Sequence, residues 1–384
     1  MKTLHASTDW RSPVTGPSEL ERVVSTLATG TDGVKSRRVS EVENGSRKQY
    51  RMVACPACGT TLFVPGDTEP LSHFPCTKCG ASVMMPMRLR QFELRARIAS
   101  GGMGTVYRAF DTVLEREVAV KLVKPELLQD EKAMAGLLRE ARACARLNHT
   151  NIIHIYTFDE SEGQLYLVME LADRGSLDSR IEKGRLPELE VLDIGIKVAS
   201  ALNAALKHGL LHRDIKPGNI LFNAEGEPKL VDFGLARPAD AEDDSDGTVW
   251  GTPYYIAPEK IRREREDFLS DMYSLAGTLY HALTQHVPFE APTVEEVVAA
   301  HVHTQLTPPN QVVPEITQPT SDAIAKAMAK NPADRFQSYE EFIMALEAAR
   351  SHYLVGRYVT GTTPPPGSKP AAKTGGIKSW FRRG

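Results

Sequence analysis

The sequence predicts an α+β chain, with a small strand-rich part, a larger helical part and a four-cysteine module ahead of both. Three observations carry this. From Phe92 onward short apolar runs come first, and apolar residues at helical spacing then continue to about Arg350. Before them, four of the five cysteines fall in two Cys-x-x-Cys pairs within residues 51–87. The flanks lack apolar periodicity: residues 1–50 are rich in Ser, Thr, Gly and charge and read as a disordered arm, and residues 351–384 read as a Pro/Gly-rich linker with a basic tail.

Composition bounds the rest. The 384 residues are 41% apolar and 25% charged, enough for an ordinary core and for two or three domains. The net charge of −3 gives no whole-chain basic signature of a nucleic-acid binder. No run of eighteen apolar residues occurs, and the first residues lack the apolar centre of a secretory signal, so a cytoplasmic chain is expected.

The first element is the cysteine module. Cys55, Cys58, Cys76 and Cys79 follow the pattern Cys-x₂-Cys-x₁₇-Cys-x₂-Cys, with Gly59 and Gly80 after the pairs. The spacing fits a closed four-thiolate zinc site, and the trailing glycines permit the tight turn that brings two sulfurs to one metal. A metal-free loop is the alternative, but so short a segment has little core to fold on without metal. No thioredoxin-like strand–helix pattern surrounds the pairs, which speaks against a redox role, and His73 reads as a bystander. Lys48, Arg51, Arg88 and Arg90 flank the module while its own loops are not basic. A protein partner is therefore favoured over nucleic acid.

Next comes "IASGGMGTVY", Ile98–Tyr107, with three glycines in four residues. Alone it is either a tight turn between strands or a backbone laid against phosphate. In the strand "REVAVKLV", Val118, Val120 and Leu122 share one face, and Ala119 and Lys121 the other. Lys121 by itself reads as a solvated lysine. In the following helix Met134, Leu137, Leu138, Ala141, Cys144 and Ala145 recur at three and four. Glu140 lies beside that buried face, where a carboxylate needs a partner, and Lys121 is the obvious one.

"GLLHRDIKPGNILF" then sets His212, Arg213, Asp214, Lys216 and Asn219 at short intervals, followed by Asp232-Phe233-Gly234 and by "GTPYYIAPE" ending at Glu259. With these motifs in this order, the stretch from Phe92 to Arg350 resembles the eukaryotic-type protein kinases, of the bacterial Ser/Thr branch. The resemblance implies a bilobal protein kinase fold with a β-rich N-lobe and a helical C-lobe, here preceded by a zinc-ribbon-like module.

It also implies roles. ATP would be held by Ile98, Ala99, Ser100, Gly101, Gly102, Met103, Gly104, Thr105 and Val106, with Ala119 on the neighbouring strand. Ala99 stands where the family pattern has its first glycine, so weakened or unchanged ATP affinity is expected. Lys121, held by Glu140, would bind the α and β phosphates; Asn219 and Asp232 would hold Mg²⁺; Asp214 would accept the proton of the attacking hydroxyl; Lys216 would stabilise the transferring phosphoryl. In "LYLVMEL" the resemblance makes Met169 the gatekeeper and gives the adenine to backbone groups of Glu170 and Ala172. Cys144, Ile155, His212 and Phe233 would form the regulatory spine. Asp271 would anchor the catalytic-loop backbone, and Arg335 would pair with Glu259.

Lys216 and the Gly251-Thr252 step resemble the Ser/Thr kinases, so protein substrates with Ser/Thr acceptors are implied. The alternative is a pseudokinase or scaffold that binds partners through the ribbon, although Lys121, Asp214, Asn219 and Asp232 are all intact. Arg213 resembles a receptor for an activation-loop phosphate. Two mechanisms stay open: a phosphate on Thr248 or Ser245, added in a transient homodimer, or a carboxylate of the acidic run Asp240, Glu242, Asp243, Asp244 and Asp246. In the tail, Trp380 and Phe381 among Lys378, Arg382 and Arg383 allow weak contact with an anionic membrane surface, or a frayed terminus.

Overall fold

In a computed structural model of the protein, the described residues are 50–101, 104–126, 134–135, 138, 141–142, 145–232, 237–238 and 253–360. The N-terminal arm, Gly102, Met103, Glu140, Cys144, Phe233, Gly234, the acidic run with Ser245, Thr248 and Thr252, and the tail from residue 361 lie outside them. Two compact units divide the chain: one runs to Asn148 and includes Ile153–Asp173, and the other comprises His149–Ile152 and the chain from Arg174.

The first unit opens with two small hairpins. Strands β1 (Tyr50–Ala54) and β2 (Thr61–Pro65) pair antiparallel, as do β3 (His73–Pro75) and β4 (Ser82–Met84). Ala54 opposes Thr61 and Pro75 opposes Ser82, so each cysteine pair occupies the tip of a hairpin. Alternation sets the faces: Val53, Leu62 and Val64 turn inward with Cys55, Cys76, Val83 and Met85 to form a small core.

A six-stranded antiparallel sheet follows, in the order β5-β6-β7-β8-β10-β9. Its strands are β5 (Met87–Leu89), β6 (Phe92–Ser100), β7 (Gly104–Asp111), β8 (Arg116–Val123), β9 (Ile155–Ser161) and β10 (Gln164–Met169). Val118, Val120 and Leu122 point into one cluster with Leu94, Ala109, Tyr166 and Val168, as the period-two pattern predicts. Met84, Leu71 and Met87 join the same cluster. Consecutive residues therefore face two cores: Val83 and Met85 lie in the hairpin core, Met84 in the sheet core. Met85 also accepts the N–H of Leu71 and donates to the carbonyl of Ser72, each at 2.8 Å. The cysteine hairpins and the sheet are thus one packed body, which the sequence did not reveal.

The second unit is mainly helical. Its helices are α1 (Leu177–Ile181), α2 (Glu188–Lys207), α3 (Pro258–Ile261), α4 (Phe268–Thr284), α5 (Val294–His303), α6 (Pro309–Val312), α7 (Gln318–Ala327) and α8 (Tyr339–Thr360). Helix α4 is buried nearly all round, as a central helix must be. Asp267 caps its start by accepting the N–H of Leu269 at 2.8 Å, and Gln285 ends it in a left-handed turn at φ 63°. Helix α2 packs on α4 where Gly195 leaves room for Leu279; a Cβ there would lie 2.7 Å from the leucine methyl. The strands of this unit are short: β11 (Leu210–Leu211) pairs β14 (Arg237–Pro238), and β12 (Ile220–Phe222) pairs β13 (Pro228–Leu230).

Candidate active site and metal knuckles

In the first unit, β6 and β7 pair on either side of the glycine stretch. Ser100 opposes Thr105, Ala99 opposes Val106, and the N–H of Gly101 donates to the carbonyl of Gly104 at 2.9 Å. The glycines have different reasons. A Cβ on Gly104 would run into the backbone carbonyl of Leu122 on β8, whereas one on Gly101 meets nothing within 4 Å. Gly104 is therefore required by strand packing, and Gly101 leaves an open face for a ligand. Lys121 stands on β8 opposite Val106 and Leu167, on the sheet face away from the Val118–Val120–Leu122 core. Ala119 is buried beside it. At the end of β10, the Glu170 N–H donates to the carbonyl of His154 at 2.8 Å. Ala172 is buried two residues further on.

In the second unit, the loop that starts at His212 is held by one carboxylate. Asp271 of α4 accepts the N–H of His212 and that of Arg213, each at 2.7 Å, which confirms its anchoring role. His212 is fully buried, and burial holds its pKa below the usual histidine value, so the ring is neutral. Its Nδ1 accepts the N–H of Asp214 at 3.3 Å, and its Nε2–H donates to the carbonyl of Val231 at 3.0 Å. His212 thereby ties the backbone of Asp214 to the residue before Asp232. The resemblance gave this histidine to the regulatory spine; its bond to Asp214 is local, whereas its bond to Val231 depends on the approach of the chain just after β13.

The side chains that could do chemistry converge on Asp214. Lys216 Nζ donates to its Oδ2 at 2.7 Å, and Asn219 Nδ2 donates to Oδ2 at 3.0 Å and to its carbonyl at 2.8 Å. Asn219 immediately precedes β12, Asp232 follows β13, and the Val231 N–H donates to the Asn219 carbonyl at 3.0 Å, so one hairpin fixes both residues. With Nδ2 engaged by Asp214, Oδ1 is the atom Asn219 would offer a cation. Together with the Asp232 carboxylate, that is the hard-oxygen donor set Mg²⁺ takes. Arg213 and Asp232 both adopt left-handed backbone conformations, φ 67° and 65°. A side-chain residue there costs about 1–3 kcal/mol, and such strain gathers at functional sites.

Glu259 and Arg335 form the other fixed pair. Arg335 is 2% exposed, and its two terminal nitrogens each donate to Glu259 at 2.7 Å. The carbonyls of Leu269 and Ala329 and the Ser270 hydroxyl complete the bonding. Beside this loop lies a groove of about 310 Å³ lined by Pro253, Tyr254, Pro292, Val294 and Val297.

The cysteine tips repeat one geometry. Gly59 donates to the Cys55 carbonyl and Gly80 to the Cys76 carbonyl, each at 2.9 Å, and both glycines are left-handed at φ 69° and 71°. The four sulfurs lie within 4.8 Å of one another, with Cys55–Cys79 at 3.6 Å and Cys58–Cys76 at 3.7 Å. Four sulfurs about 2.3 Å from one tetrahedral ion are about 3.8 Å apart, so the arrangement fits zinc and is far too open for disulfides. The Thr60 hydroxyl and N–H pull the Cys58 thiol down to about 6, toward the thiolate a metal needs.

Of the expected site residues, Lys121, Ala119, Glu170 and Ala172 thus lie on the sheet and its exit, and Asp214, Lys216, Asn219 and Asp232 on the catalytic loop and its hairpin; Glu140 lies outside the described residues. The family described as the protein kinase domain matches residues 92–353. Curated relatives include the serine/threonine-protein kinase PknD of Mycobacterium tuberculosis, 38% identical over 261 residues, which are 67% of this chain and 39% of that protein. PknL of the same organism is 37% identical over 248 residues, 64% of this chain and 62% of its own length. PknE of Mycobacterium bovis is 35% identical over 290 residues, 73% and 51% respectively. The chain spans less than two thirds of the length of these relatives, and the family match begins after the cysteine hairpins. A family match over more than half the chain, joined to the anchored loop around Asp214 and the buried Glu259–Arg335 pair, identifies the chain as a member of the protein kinase domain family.

Proposed function

We propose that the chain transfers the γ-phosphate of ATP to Ser or Thr hydroxyls of proteins. The observation that carries this is the bonded group Asp214–Lys216–Asn219, all three members intact and within hydrogen-bond reach. Asp214 accepts the proton of the attacking hydroxyl, and Lys216 places a cation beside the transferring phosphoryl. Lys121 binds the α and β phosphates, with Glu140 as its partner. The residues of the glycine turn, Ile98 to Val106, cover the nucleotide, and the Glu170 carbonyl and Ala172 N–H take the adenine. Asn219 and Asp232 hold Mg²⁺, which neutralises phosphate charge.

The groove beside Pro253 and Tyr254 supports an extended peptide substrate that beds an apolar side chain there. The four cysteines hold one structural zinc, a reading supported by their sulfur spacing. The outer face of the β1–β2 hairpin exposes Tyr50, Met52 and Phe63, with Met52 opposite Phe63, which supports a protein partner over nucleic acid. No helix among the described residues is long and apolar enough to cross a membrane, and we place the chain in the cytoplasm, where thiols stay reduced.

The test is transfer of labelled phosphate from Mg-ATP to a generic basic protein, followed by identification of the modified residue. Phosphoserine or phosphothreonine in the wild type, absent with Asp214→Asn, is the expected result. Full transfer by Asp214→Asn would remove the mechanism.

A further inference from the structure

The peptide that enters Asp214 is gripped at both of its polar atoms. Its N–H, on Asp214, donates to His212 Nδ1 at 3.3 Å, and its carbonyl, on Arg213, accepts from Lys260 Nζ at 3.3 Å. Lys260 in turn lies 3.8 Å from Glu266, and the same Glu266 oxygen lies 3.9 Å from Nε of Arg213. The three residues close a ring: the Arg213 side chain, the Glu266 carboxylate, the Lys260 ammonium, and back to the Arg213 backbone.

The burial makes the ring consequential. The side chains of Arg213 and Glu266 are only 8% and 5% exposed. A buried guanidinium needs an opposing charge, and a buried carboxylate likewise. Among the described residues Arg213 Nε has no hydrogen-bond partner, and Glu266 faces it as an ion pair. Removing the carboxylate would leave two cations facing each other around one peptide, in a medium that screens poorly. Arg213 also holds a left-handed backbone at φ 67°, which a residue with a Cβ keeps only when its surroundings enforce it.

We propose that Glu266 is a positioning residue for phosphoryl transfer: it holds Arg213 and Lys260 together and through them fixes the peptide that orients Asp214. This rests on the proposed role of Asp214 as base. It also bears on activation, because the carboxylate beside Arg213 comes from the segment before α4, outside the acidic run, and needs no phosphate on Thr248 or Ser245.

The experiment is steady-state kinetics of the full chain after phosphatase treatment, with Mg-ATP and a basic protein acceptor. Glu266→Gln keeps the shape and removes the charge. The expected result is a fall in kcat of about tenfold with KM for ATP unchanged. A group acting through Arg213 must also be non-additive with it, so Arg213→Met/Glu266→Gln should be no slower than Arg213→Met. Lys260→Met, at a side chain 34% exposed, opens the ring with little threat to folding and should lower kcat about threefold, again at constant KM. An unchanged kcat in Glu266→Gln, multiplicative losses in the double variant, or, should Glu266→Gln not fold, an unchanged kcat in Lys260→Met overturns the inference while wild-type transfer persists. A wild type without transfer overturns the functional reading and this inference with it.

Discussion

At the residue scale, the candidate site separates groups that react from groups that hold. In the proposed mechanism Lys121 and Asp214 belong to the first kind: Lys121→Met and Asp214→Asn should each lower phosphate transfer by about 10²–10⁴-fold while thermal unfolding stays where it was, and a calorimetric scan beside the kinetic assay checks both halves. Glu259 and Arg335 belong to the second. Burial pushes the Glu259 carboxyl up, but the bidentate Arg335 and the Ser270 hydroxyl pull it further down, and the net value lies below the ordinary carboxylate range. A depressed folded pKa means stability that is present above the unfolded value of about 4.5 and lost as pH falls through the folded one. Arg335→Leu strands a buried carboxylate and should cost about 3–5 kcal/mol near neutral pH, with unfolding by urea as the measurement. Glu259→Gln should flatten the acid limb below about pH 4.5; an acid limb identical to the wild type would place the lost protons elsewhere.

At the scale of elements, His301 shows how helix α5 is fastened. It is fully buried, its Nδ1 is bonded to the Tyr273 hydroxyl at 2.9 Å, and the Phe289 ring stands edge-on to it at 4.8 Å. Lys330 donates to the carbonyls of Ala300 and His301 at the end of the same helix, and its charge adds to the burial that lowers the His301 pKa to about 3. Here the unfolded chain takes up a proton near pH 6.5 and the folded one does not. Stability should therefore fall as pH drops from about 6.5 toward 3, at up to about 1.4 kcal/mol per pH unit, and His301→Gln should lose that slope in a urea titration across pH 6.5 to 4.5. None of this was legible beforehand, because Tyr273, Phe289 and Lys330 reach His301 from distant positions. The local elements were legible: the alternation of "REVAVKLV", the glycine turns after each cysteine pair, and the catalytic loop with its Asp271 anchor all follow from short-range pattern or motif order. Glu266 gave no signal, since it lies in a charge-dense stretch, "RREREDF", that reads as solvated surface, and its partner Arg213 is far upstream.

At the scale of the molecule, the family match and the packing draw different boundaries. The match begins at Phe92, yet β5 pairs with β6 ahead of it, and Leu71, Met84, Met87 and Leu89 fill the sheet cluster beside Phe92 and Leu94. Met84 is 6% exposed and Leu89 1%, so they are core residues in all but sequence position. Burying one such side chain stabilises by about 1.5–3 kcal/mol, and a domain has about 5–15 kcal/mol in total. A chain that starts at Phe92 should therefore melt far below the full chain and bind ATP weakly, since β6 also carries Ile98, Ala99 and Ser100 into the glycine turn. A chain that starts at Tyr50 should melt with the full chain. The same coupling would give a metal held by the four cysteines a reach beyond their hairpins: Val83 and Met85 stand in the cysteine core and Met84, between them, in the sheet core. Elemental analysis should find about one zinc per chain, and Cys55→Ser/Cys58→Ser should lose it together with part of the melting temperature of the six-stranded sheet. Full zinc in that double variant would refute the ligand set, whereas zinc lost at an unchanged melting temperature would show that the hairpins and the sheet, though packed together, are stabilised separately.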